Sequence, residues 1–76
     1  MSYGYSARII ALNKIADRKQ LGVRLGRACI KADLPVADIA ARLGISRQTV
    51  YNWFTGYSTP SERYSPSICK LIEQYA

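Results

Sequence analysis

The sharpest pattern of apolar and polar positions runs from Val36 to Gly56, VADIAARLGISRQTVYNWFTG. Ile39, Ala40 and Leu43 are spaced as one face of a helix. Gly44 ends that run, where a residue without a Cβ takes the left-handed conformation that closes a helix. Ile45 turns back toward the core. Ser46 stands where an N-cap belongs, its hydroxyl offered to the free N–H groups of the next turn. A second helix follows, with Val50, Trp53 and Phe54 inward and Gly56 at its end. Its outward side is Arg47, Gln48, Tyr51, Asn52 and Thr55. So short a turn forbids antiparallel packing. The two helices must cross steeply, and the small Ala40 lets their backbones come close. The outward side carries a guanidinium, two amides, a phenol and a hydroxyl, and no acid.

The flanking patterns are also helical. Met1 to Tyr5 reads as a loose arm with Gly4 and two tyrosines. Ser6 is placed to cap a helix through about Ala16, whose apolar side is Ile9, Ile10, Leu12, Ile15 and Ala16, with Arg8, Lys14 and Arg18 outside it. Arg18 to Ala32 predicts the next helix: Leu21, Leu25, Ala28 and Cys29 face in, and Val23 and Ile30 lie toward a flank. Gly22 and Gly26 sit inside it, each costing roughly 1 kcal/mol of helix propensity, which predicts close approach of another helix at that face. Arg24, Arg27 and Lys31 form an outer basic strip, open to two readings: a solvated face or a set of phosphate contacts. Asp33, Leu34 and Pro35 break the helix. Pro35 suits the first turn of the following one, and Asp38 sits near its positive end. After Gly56, YSTPSERYSPS reads as a loop. Its cation, Arg63, either lies along a phosphate backbone or simply decorates a surface connection. A last helix is expected from Ser67 to about Tyr75, capped by Ser67 or Ser65, with Ile68, Leu71, Ile72 and Tyr75 on one side.

Composition narrows the chemistry. At 76 residues the chain is expected to be a single domain, residues 1–76, near the small end for a self-supporting core. Eleven Lys and Arg against five Asp and Glu give a net charge of +6 and a pI near 9.7, which favours a polyanionic partner. Apolar runs are only a few residues long, too short for a membrane span, and MSYGYSARII lacks the apolar stretch of a secretory signal. There is no histidine. Cys29 and Cys69 lie in separate helical patterns without metal-ligand spacing, and the carboxylates are scattered, so neither a metal site nor a cofactor nor a catalytic arrangement is expected. The chain is not expected to be an enzyme.

Ile39, Ala40, Leu43, Gly44, Ile45, Val50, Trp53 and Gly56 together resemble the helix-turn-helix of the phage Cro and repressor class, the XRE family, over about a quarter of the chain. The resemblance implies an all-α fold: a compact five- to six-helix lambda-repressor-like domain with a central helix-turn-helix at 36–56, and with 1–17 as an N-terminal arm and extra helix. It implies sequence-specific binding of double-stranded DNA by a small cytoplasmic, Cro-like transcriptional repressor. The helix from Arg47 to Thr55 would enter the major groove. Arg47 would reach guanine or phosphate, Gln48 would pair with adenine, and Ser46, Tyr51, Asn52 and Thr55 would contact bases or nearby backbone. The N–H groups of Val36 and Ala37 would meet a phosphate, as would Arg24 and Arg63. A homodimer on a palindromic operator is expected, paired through Ile68, Leu71, Ile72 and Tyr75 in preference to Ile9, Ile10 and Leu12. Two other readings use the same fold: an antitoxin or similar protein-interaction module, and the DNA-reading module of a recombinase or transposase system.

Overall fold

The computed structural model describes residues 5–75. It is all-helical: α1 (Ala7–Ile15), α2 (Leu21–Lys31), α3 (Val36–Leu43), α4 (Arg47–Phe54), a 3-10 turn (Glu62–Tyr64) and α5 (Ser65–Tyr75). The central element is α2, which packs against α1, α4 and α5, while α3 packs against α4. Leu25, Cys29, Ile39, Val50, Phe54 and Ile68 are fully enclosed and form the common core. Burying side chains of this size contributes roughly 1.5–3 kcal/mol each.

The ends of the helices are closed by specific devices. Ser6 caps α1, accepting from the Ile9 N–H at 3.2 Å. At the C-terminus of α2, Asp33 takes φ 58°, and the Leu34 and Asp33 N–H groups return to the carbonyls of Cys29 and Ile30 at 2.9 and 3.1 Å. That is a Schellman closure with aspartate in the left-handed place glycine usually takes. α3 ends in the same way on Gly44 at φ 68°, with the Ile45 N–H bonded to the Ala40 carbonyl at 3.0 Å. Ser46 then caps α4 through the Thr49 N–H at 3.1 Å. Three residues, Gly44 to Ser46, therefore separate α3 from α4, and Ala40 is buried at their junction.

The two helical glycines lie where partners come close. A Cβ on Gly22 would stand 2.7 Å from the Trp53 Cβ and 3.0 Å from its carbonyl oxygen. One on Gly26 would stand 2.6 Å from Asn13 Nδ2 and 2.9 Å from the Phe54 ring. The contact predicted from their spacing is the α2–α4 interface.

Several expectations are corrected. Tyr5 is not part of a loose arm: it is buried, its hydroxyl donates to the Leu34 carbonyl at 2.5 Å, and its ring stacks on Phe54 with centroids 6.3 Å apart. Met1 to Gly4, the rest of that expected arm, lie outside the described residues. Val23 is wholly buried rather than flanking. Ile15 belongs to no apolar face, being 81% exposed, because α1 turns Asn13 inward instead. Arg27 is half-buried and does more than decorate the basic strip it shares with Arg24 and Lys31: its Nη2 donates to the carbonyls of Lys14 and Asn13 at 2.9 and 3.3 Å, closing the C-terminus of α1 with a positive charge. The segment after Gly56 is not loop throughout. Pro60-Ser61 opens the 3-10 turn, which puts Tyr64 against Trp53 with centroids 5.4 Å apart and carries directly into α5 at Ser65, two residues before the expected start. Ile68 and Leu71 are buried in the chain's own core, and Ile72 and Tyr75 pack half-buried against it.

Candidate nucleic-acid interface

The outward side of α4 holds together as one surface. Gln48, Tyr51, Asn52 and Thr55 recur three and four residues apart, so they share a face two turns long. Arg47 and Gln48 are exposed at the helix start, whereas Tyr51, Asn52 and Thr55 are half-buried. Gln48 Nε2 donates to Asn52 Oδ1 at 3.0 Å. That bond turns the two amides toward each other. It leaves Gln48 with one N–H and its carbonyl oxygen, the donor–acceptor pair that matches an adenine edge, and leaves the Asn52 amide as a second donor. Thr55 is partly occupied, since its hydroxyl donates back to the Tyr51 carbonyl at 2.9 Å and offers only its lone pairs outward. The Ser46 hydroxyl is tied to Thr49, whose Oγ1 is 2.8 Å away.

This face is one wall of an open cleft of about 670 Å³. The opposite wall is the first half of α1, with Ser6, Arg8, Ile9 and Leu12, and Tyr57 stands at one end. Among the described residues no acid lines it, and Arg8 supplies a cation. Sequence reasoning placed α1 outside the site and missed Arg8, Ser6 and Tyr57. The available signal was the stripe Arg8, Ile9 and Leu12, which reads equally well as a core-facing edge.

The remaining predicted contacts are spread over other surfaces. Val36 and Ala37 begin α3. The Val36 side chain is buried, so only its backbone is available, while Ala37 is exposed. Arg24 lies with Arg27, Lys31 and Ile72 along a shallow groove between α2 and α5, apart from the α4 face. Arg63 lies over the Tyr64 ring, its guanidinium 5.1 Å from the centroid, on the turn that packs on Trp53.

Burial pushes the Cys29 thiol up to about 12, more than the lowering effect of nearby Arg42 can offset. Burial likewise holds the Tyr5 phenol well above its ordinary range. Cys69 is free and exposed on α5. Among the described residues no group of three or more His, Cys, Asp and Glu side chains could hold a metal, and no helix is long and apolar enough to cross a membrane.

Comparison with known proteins gives a family match and a relative. A homeodomain-like domain family matches residues 7–62, which takes in α1 to α4 and the start of the 3-10 turn. The chain is 33% identical, over 60 residues, to the 26 kDa repressor protein of Escherichia phage HK022. The match covers 74% of this chain and 26% of that protein, so the chain spans about a quarter of the length of the curated relative it matches. No solved structure matches it.

Proposed function

The chain belongs to the homeodomain-like domain family, and from that premise we propose that it binds double-stranded DNA sequence-specifically, as a small Cro-like transcriptional repressor of the bacterial or phage-infected cytoplasm. The observation that carries this reading is the α4 face: a hydrogen-bonded Gln48–Asn52 amide pair beside Tyr51 and Arg47, on a helix held at both ends, with no acid in the cleft before it. Arg47 and Gln48 are the base readers, entering the major groove first. The backbone at Val36 and Ala37 and the side chains of Arg24 and Arg63 are the proposed phosphate contacts. That the relative is a repressor protein by name supports repression by occupancy of a promoter.

A homodimer on a palindromic site is part of the proposal, because one such helix reads too few base pairs for useful specificity. The proposal moves the pairing surface away from α5, where Ile68 and Leu71 are buried. Among the described residues the large apolar side chains left in solvent are Ile15 and Tyr57, 81% and 83% exposed. They stand next to Ala16 and Gly56, where a Cβ on Gly56 would lie 3.4 Å from that of Ala16. Ile15 and the neighbouring chain at Ala16 and Gly56 are the proposed contact.

The test is selection of binding sites from a random duplex pool, followed by titration of the recovered site at two salt concentrations. Recovery of a two-fold sequence, with affinity falling steeply as salt rises, is expected. No enrichment, or binding indifferent to salt, would refute DNA recognition. Equal affinity for full and half sites, with one chain on each, would refute the dimer.

A further inference from the structure

We propose that the cleft between α1 and α4 seats one sugar-phosphate strand of the bound duplex, and that Arg8 is the side chain that grips it. The inference rests on α4 being the base-reading helix. A helix with its side chains is about 10–12 Å across and the major groove about 12 Å wide, so α4 fills the groove. Both edges of that groove are phosphate strands. A protein wall standing beside α4 cannot share the groove with it and must lie across one of those strands. α1 is such a wall: Arg8, Ile9 and Leu12 face Gln48, Tyr51 and Asn52 across an open space of about 670 Å³. The strand therefore runs between the two helices.

The chemistry of the lining suits that occupant. Arg8 is exposed and brings a guanidinium, the fork that pairs with phosphate oxygens. No acid opposes it. Ile9 and Leu12, half-buried on the same wall, give an apolar floor for deoxyribose. α1 is held firmly enough to act as a wall, because Asn13 bonds to the carbonyls of both Val23 and Phe54 and Arg27 closes its last turn.

Arg8→Ala, on the full chain, should weaken selected and unrelated duplexes by the same factor. Loss of one phosphate contact lowers the salt slope by about 0.9, so the defect should shrink about threefold between roughly 50 and 200 mM salt. Replacing single phosphates of the selected site by neutral methylphosphonate should find at least one position per half-site that weakens the wild type and leaves Arg8→Ala unchanged. Leu12→Glu, which puts a negative charge on the cleft floor at a half-buried position, should reduce binding at least tenfold while the circular dichroism stays helical. Wild-type binding with an unchanged salt slope in Arg8→Ala and no such phosphate would overturn the strand seat and leave base reading by α4 intact. Absence of DNA binding by the wild type would instead overturn the reading on which the inference rests.

Discussion

Asn13 offers the most direct test of how the interface is held. It is the buried polar side chain of α1, 3% exposed, and its Nδ2 donates to the Phe54 carbonyl at 2.6 Å and the Val23 carbonyl at 3.2 Å. Val23 lies inside α2, so its oxygen keeps a helical partner in any Asn13 variant. Phe54 is the last residue of α4, where carbonyls have no helical partner, so its oxygen would be left buried and bare. An orphaned buried acceptor costs about 1–3 kcal/mol and a second lost hydrogen bond about 0.5–1.5. Asn13→Ala should therefore destabilise by about 2–4 kcal/mol, against a total of roughly 4–11 for a chain of this length. Asn13→Asp separates hydrogen bonding from volume. Its carboxylate would face two carbonyl oxygens, so its folded pKa must lie above the unfolded value of about 3.9. A group raised in this way contributes its stability below the unfolded pKa and loses it as pH rises through the folded one. Asn13→Asp should be less stable than Asn13→Ala at pH 7 and recover toward pH 4, where the protonated acid donates one bond. Urea titration followed by Trp53 fluorescence reads both. Asn13→Ala within about 0.5 kcal/mol of wild type, or an Asn13→Asp whose deficit ignores pH, would refute the argument.

Gly22→Ala and Gly26→Ala should each destabilise by about 1–3 kcal/mol in chemical denaturation, although alanine gains roughly 1 kcal/mol of helix propensity, because the new methyl meets Trp53 backbone in one case and Asn13 with Phe54 in the other. Trp53→Ala should cost about 3–5 kcal/mol and unfold much of the population; a folded variant that merely loses DNA affinity would show that the buried face is wrongly assigned. Gln48→Ala should relax preference at one base position per half-site by about 1–3 kcal/mol, whereas Arg24→Ala should weaken all duplexes alike, and a panel of single-base variants separates the two behaviours. Alkaline stability should fall once pH passes the unfolded cysteine value of 9.0 and continue to fall toward 12, because Cys29 and Tyr5 hold their protons longer when folded; Cys29→Ala should flatten the first part of that decline in pH-resolved melting.

The helix-turn-helix was legible because it is written in local rules. Gly44, Ser46 and Gly56 act through their own backbone and near neighbours, and Val50, Trp53 and Phe54 follow simple helical spacing. The glycines of α2 were legible at one remove, as a cost that only close packing could explain. What escaped depends on contacts distant in sequence. Asn13 reads as a polar interruption until the Phe54 carbonyl, 41 residues away, comes beside it. Arg27 reads as a surface cation until the end of α1 comes beside it. Tyr5 reads as part of a glycine-containing arm until Leu34 and Phe54 receive its hydroxyl and ring. Each error has one source: periodicity shows which side of a helix is apolar, but not which polar group finds a buried partner.

The same long-range contacts decide whether α4 can read bases at all. Eight residues are too few for a helix to persist alone in water, since nucleation is costly and isolated helices shorter than about 12–15 residues are marginal. Its order is imposed from outside. Ser46 satisfies its first turn, Gly56 at φ 77° turns the chain at its end, Asn13 takes up the Phe54 carbonyl, and Gly22 and Gly26 let α2 approach its inner face. Gln48 and Asn52 thus present paired amides on a backbone already fixed, and docking on a base edge does not have to order the helix as well. Affinity lost through Asn13 or Gly26 variants, neither of which lies on the α4 surface, should therefore appear as weaker binding to every duplex with base preference retained among the folded molecules. A change of preferred sequence in those variants would mean that they tilt α4 rather than loosen it.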